Sequence, residues 1–141
     1  MNNIAIVYWS GTGNTEAMAN LVAEGAKGAG ADVKLFVASE FSKDMLGDYS
    51  AVAFGCPAMG AEELEDGEFE PMFSSIKHLL SGRSIALFGS YGWGEGEWMR
   101  TWEQECADYG AKLVSPCVIC NEAPDDDGAV ACRALGKALA Q

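Results

Sequence analysis

The turn Ser10-Gly11-Thr12-Gly13-Asn14-Thr15 constrains the fold of this chain more than any other stretch. It follows residues 4–9, which are apolar throughout rather than alternating, the pattern of a strand covered on both faces in a parallel sheet. After it Met18, Leu21, Val22, Ala26 and Ala29 recur at helical spacing, with Asn14 or Thr15 placed to cap the first turn. Strand, turn and helix start together gather unpaired N–H groups at a positive helix end, which makes the turn a candidate phosphate site. The residues of the familiar nucleotide loops are missing. Asn14 stands where a hydrolysing loop needs Lys, Glu16 holds the third position of the dinucleotide fingerprint, and no Lys or Arg precedes Lys27. An anion here is held by neutral donors and the helix dipole alone; the alternative is a Gly- and Ser-rich turn without a ligand.

The same unit recurs along the chain. Residues 33–37 read as an edge strand, 41–46 as a short helix, and 51–56 as a second fully apolar strand followed by a loop over 57–67. A helix opens at Glu70-Pro71 and buries Phe69, Met72, Phe73, Ile76, Leu79 and Leu80. Residues 85–88 form a third apolar strand, 89–96 a loop, and 97–109 a helix packed through Trp98, Trp102, Cys106 and Tyr109. The strand over 112–120 contains Pro116, which places it at a sheet edge, and a last helix covers 126–139. Five strands alternating with helices predict one α/β domain over residues 1–141, a doubly wound three-layer sandwich on a five-stranded parallel sheet. Ligands of such sheets bind beyond the carboxyl ends of the strands where strand order reverses, so the loops 10–15, 57–67 and 89–96 are expected to form one site.

Charge and cysteines narrow the class further. Nine Lys and Arg against 21 Asp and Glu give a formal charge of −12, which disfavours nucleic acid and anionic membranes and favours a protein partner with a basic patch. No basic leader precedes the first strand and no apolar run is long enough to cross a bilayer, so a cytoplasmic, monomeric protein is expected. Five cysteines make an odd number, favouring free thiols over a disulfide framework. Cys117 and Cys120 have CxxC spacing, but residues three apart in a strand face opposite ways, and His78 has no companion for a metal site or catalytic dyad.

The second loop carries Cys56-Pro57-Ala58-Met59-Gly60-Ala61-Glu62-Glu63 and the third Gly89-Ser90-Tyr91-Gly92-Trp93-Gly94. Met59 and Trp93, on different loops among glycines and acids, suit the two faces of a flat aromatic ligand. Taken with Tyr8-Trp9 and the first turn, these segments resemble, in order over the whole chain, a short-chain flavodoxin, and the flavodoxins of anaerobic bacteria in particular. The resemblance implies strand order 2-1-3-4-5, one non-covalent FMN, and low-potential one-electron transfer through quinone, semiquinone and hydroquinone states in place of ferredoxin. It implies an electron carrier, not an enzyme.

By the family pattern Ser10, Thr12, Gly13, Asn14 and Thr15 wrap the FMN phosphate. Met59 and Trp93 cover the ring faces, with Pro57, Ala58, Gly60 and Ala61 completing the Met59 loop. Glu62 accepts a hydrogen bond from flavin N3, and the N–H groups of Ser90, Tyr91 and Gly92 reach the pyrimidine edge. The Gly60-Ala61 peptide flips on reduction, and nearby acids, Glu62, Glu63, Glu65 and Asp66, oppose the anionic hydroquinone. The chain departs from the pattern at Ala61, where many relatives carry a polar or acidic residue, and at Gly67, which is expected to loosen the acidic loop. The acids within 62–70 and 125–127 are expected to ring the flavin edge and steer redox proteins with basic patches. An FMN-dependent quinone reductase is the alternative of another class. A signalling receiver is disfavoured because Gly55-Cys56-Pro57 offers no phosphorylatable Asp.

Overall fold

The computed structural model describes residues 2–59 and 63–141. Strand β1 (Asn3–Tyr8) leads into helix α1 (Asn14–Gly28), β2 (Asp32–Val37), β3 (Ala51–Gly55), α2 (Phe69–Ile76), β4 (Ser84–Tyr91), α3 (Glu97–Asp108), β5 (Lys112–Leu113), β6 (Val118–Asn121) and α4 (Asp126–Leu139). The sheet runs β2-β1-β3-β4-β5, with β6 also pairing β4, and every strand pairing is parallel. Chain order therefore reverses between β1 and β3, which lie side by side with Tyr8 opposite Gly55.

The uniformly apolar strands are explained by what covers them. Residues of β1, β3 and β4 alternate between two buried layers. Ala5, Val7, Val52, Phe54, Ile85 and Leu87 meet α2 and α3 through Phe69, Phe73, Trp98 and Trp102. Ile4, Ile6, Ala51, Ala53, Ala86 and Phe88 meet α1 and α4 through Met18, Val22, Cys132 and Leu135. The helices thus sit on both faces of the sheet, and each strand needs apolar side chains on both sides.

The fifth strand departs from expectation. Residues 112–120 do not form one strand: β5 pairs the start of β4, β6 pairs its end, and Ser115-Pro116 interrupt them. Proline lacks the N–H that a continuous ladder would need, so the edge breaks there. The third apolar strand also runs on to Tyr91, consuming residues expected in its loop. Helix α2 begins at Phe69, placing Pro71 at its third position, and Tyr109 lies exposed beyond α3.

All five cysteines are free, and Cys117 and Cys120 contact opposite layers. Burial pushes the thiols of Cys56, Cys106, Cys117 and Cys132 up to about 12, so they stay protonated near neutrality. Among the described residues no helix is long and apolar enough to cross a membrane.

Candidate functional site

The first turn is built around Ser10 rather than around a cap from within the helix. Ser10 Oγ accepts the N–H of Gly13 at 3.1 Å and that of Glu16 at 3.2 Å, while α1 begins after Gly13 with no side-chain cap. Gly13 has φ 96°, a left-handed conformation costly for any residue with a Cβ. The N–H groups of Thr12, Asn14 and Thr15 find no acceptor among the described residues and gather at the positive end of α1. Tyr8 donates its hydroxyl to Glu16 Oε2 at 3.1 Å, which ties the first-turn carboxylate to β1. Burial and that bond push the Tyr8 hydroxyl above its ordinary value.

The three loops are stitched together where β1, β3 and β4 end. Trp9 N–H donates to Gly55 O at 3.0 Å, Cys56 N–H to Phe88 O at 3.1 Å and Ala58 N–H to Ser90 O at 3.1 Å. Ser90 N–H lies 3.4 Å from Thr15 Oγ1, joining the third strand end to the first turn. Thr15 and Ser90 are both buried, so this polar link closes the floor of the site. Trp9 Nε1 donates to Glu68 Oε1 at 3.0 Å, and its ring lies over Gly11, where an added Cβ would come within 3.0 Å of it.

A cavity of 230 Å³ opens between these loops. Of the residues expected in the site, Thr12, Asn14, Pro57, Ala58, Met59, Ser90, Tyr91 and Gly92 line it. Ser10 and Gly13 line an adjoining hollow of 470 Å³ that shares Trp9, Gly11 and Thr12 with the cavity. Thr15 sits in the floor. Trp93 is 55 % exposed on the third loop and lines neither space. Gly60, Ala61 and Glu62 lie outside the described residues. A wider hollow, 700 Å³, runs along α3 and is lined by that helix and Tyr109 alone, so no two loops converge on it.

Glu122 was not expected in the site and lines the cavity. It has φ 60° and is the only non-glycine residue with positive φ among those described. Ser90 donates its hydroxyl to Glu122 O at 2.9 Å, and Glu122 donates its N–H to Tyr91 O at 2.8 Å, so the backbone is fixed in this shape from both sides. The signal was available: β6 runs parallel to β4, with Tyr91 opposite Asn121, and the loop after it rises at the same carboxyl edge.

The donor set fits a phosphorylated flavin. The turn offers backbone N–H groups and hydroxyls, no Lys or Arg lines either space, and the cavity presents Met59 and a glycine-bordered strand end where a flat ring needs them. The adjoining spaces together fall in the usual range for small-molecule sites, about 300–1,000 Å³.

Comparison with known proteins agrees with this geometry. The family model described as Flavodoxin matches residues 6–136. The flavodoxin of Megasphaera elsdenii is 47% identical over 138 residues, covering 98% of each chain. That of Clostridium beijerinckii is 46% identical over 136 residues, covering 96% of this chain and 97% of its own. The solution structure of two-electron reduced Megasphaera elsdenii flavodoxin superposes with a TM-score of 0.89, covering 97% of this chain and 98% of that one. Matched along nearly its whole length in sequence and in strand order, this chain belongs to the flavodoxin family.

Proposed function

We propose that residues 1–141 act as one FMN-binding domain, a monomeric cytoplasmic carrier that moves electrons singly at low potential and stands in for ferredoxin. The observation that carries this reading is an anion cradle without a cation, set directly beside a cavity with room for a flat ring. When bound, FMN supplies a redox centre that takes up and releases electrons one at a time.

The chain's own part is to hold and to tune. Ser10, Thr12, Gly13, Asn14 and Thr15 receive the phosphate, with Ser10 keeping the turn in shape and the remaining N–H groups free to donate. Met59 and Trp93 take the two ring faces, Trp93 by moving in from its exposed position. Pro57, Ala58, Gly60 and Ala61 shape the loop around Met59. Glu62 and the backbone of Ser90, Tyr91 and Gly92 take the polar edge. The carboxylates near this edge, Glu122 among them, oppose further negative charge on the ring, since no Lys or Arg lines the cavity to offset it. That opposition makes the second electron the more reducing one.

An anaerobic reductive titration followed by visible spectra tests the reading. A yellow protein whose long-wavelength absorbance rises to the half-way point and then falls is expected. Bleaching without that intermediate band would favour the two-electron quinone reductase, and a colourless chain that takes up no FMN would overturn the site assignment.

A further inference from the structure

Glu65 is the only buried charged side chain among the described residues, 8 % exposed, and it lines neither space of the site. Its carboxylate accepts only backbone N–H groups: Glu68 and Phe69 at 2.8 Å on Oε1, and Gly67 at 2.7 Å on Oε2. Among the described residues no basic side chain forms an ion pair with it. Burial pushes its carboxyl up, but the three N–H bonds outweigh that and hold it below the ordinary Glu value. Gly67 does not loosen this loop, as its sequence position suggested. Its N–H is clasped by Glu65, and a Cβ there would lie 2.8 Å from Glu65 Oε2, so a larger residue has to displace that carboxylate.

The backbone of Glu65 ties this clasp to the sheet. Its N–H donates to Cys56 Sγ at 3.3 Å, and its carbonyl accepts Glu70 N–H at 2.8 Å. Cys56 is itself locked, its N–H on Phe88 O and its carbonyl on Trp98 Nε1 at 3.1 Å. Two residues before Glu65, Glu63 and Met59 exchange both N–H···O bonds at 2.9 Å, and Met59 lines the cavity. Hydrogen bonds therefore run from β4 through Cys56 to the Glu65 backbone, and one covalent step through Leu64 joins Glu65 to the Met59–Glu63 pair.

We propose that Glu65 is a positioning residue for the Met59–Glu63 pair, so that a carboxylate which lines neither space of the site sets where Met59 stands in the cavity. The inference rests on the FMN reading above. A carboxylate that merely capped α2 would stabilise the helix and leave the cavity indifferent to its loss. The two roles differ in what reaches Met59.

The test uses the full chain with Glu65→Gln, Glu65→Asp, Gly67→Ala and the Glu65→Gln/Gly67→Ala pair. Glu65→Gln turns an acceptor into a donor facing a donor. Glu65→Asp keeps the charge and withdraws the carboxylate. Gly67→Ala displaces the carboxylate without touching any charge. All three are expected to speed hydrogen exchange at the Glu63 amide of the cofactor-free chain and to weaken FMN binding, each by about tenfold, the worth of one charged hydrogen bond. They should also change the gap between the two one-electron midpoint potentials, and the pair should be no worse than the single variants. Variants that unfold earlier but keep wild-type exchange at Glu63, FMN affinity and potential gap would overturn the proposal and leave a helix cap. A shift in Glu65→Gln alone, with the other two single variants unchanged, would also overturn it, since charge rather than position would then be responsible. If the wild-type chain took up no FMN, the functional reading would fall, while exchange at Glu63 would still decide the positioning role.

Discussion

Two tryptophans on α3 have the same volume and nearly the same burial but opposite polar circumstances. Trp98 donates Nε1–H to Cys56 O at 3.1 Å, whereas Trp102 Nε1 is buried with no partner among the described residues, its ring edge-on to Phe69 and Phe73. Replacing either by Phe removes the same apolar area, but Trp98→Phe leaves a buried carbonyl unpaired and Trp102→Phe removes an unsatisfied donor. Urea unfolding should find Trp98→Phe the more destabilising by about 1–3 kcal/mol. The sequence identifies both as core residues at helical spacing and gives no sign of this difference, because it depends on where the β3 end passes beneath the helix. The same holds for Glu65 and Glu122. One is an acid in an acidic loop whose burial comes from folding three amides around it, and the other becomes a cavity residue through a left-handed backbone. The conformation of the turn over Ser10 to Thr15 was far more legible, since Gly13, Ser10 and the apolar strand before them act locally.

Helices α1 and α4 lie against one layer of the sheet and approach each other through glycines. A Cβ at Gly25 would fall 2.0 Å from Arg133 O, and one at Gly136 would fall 2.0 Å from Val22 O. Alanine is the better helix former by about 1 kcal/mol, yet Gly136→Ala must push the helices apart and is expected to lower stability by about 1–3 kcal/mol. Gly28, at the end of α1 with nothing near it, is the control: Gly28→Ala should be neutral or slightly stabilising when both variants are compared by urea unfolding. Element positions were read well where period and burial agree, as in β1, β3 and α4. They were read poorly at the fifth strand, where a proline known to disfavour a ladder was taken to mark an edge and in fact also divides the strand. Strand β4 was cut short because Gly89 and Ser90 resemble loop residues. Gly89 lies in the sheet so close to Cys56 O that only glycine fits, and Ser90 bonds across to Glu122 O.

At the scale of the whole molecule the dominant fact is the formal charge of −12. Acids at Glu63, Asp66, Glu68 and Glu70 are exposed on one side of the strand ends, and Asp126 and Asp127 on α4 are exposed as well. Glu65 is withdrawn from this field by its amides, and Asp125 spends its carboxylate on Gly128 N–H at 2.8 Å. Electron transfer to a basic haem-protein acceptor should therefore slow several-fold as salt rises from about 0.01 to 0.15 M, as the Debye length falls from about 30 to 8 Å. A rate indifferent to salt would remove electrostatic steering from the account. The cradle of Ser10 to Thr15 answers to salt in the other direction. In the function proposed above it holds the FMN phosphate by neutral donors inside a negative protein, so screening weakens the repulsion between the protein and its cargo and leaves the short-range donor contacts in place. Brine thus loosens the courier's handshake while tightening its grip on the parcel.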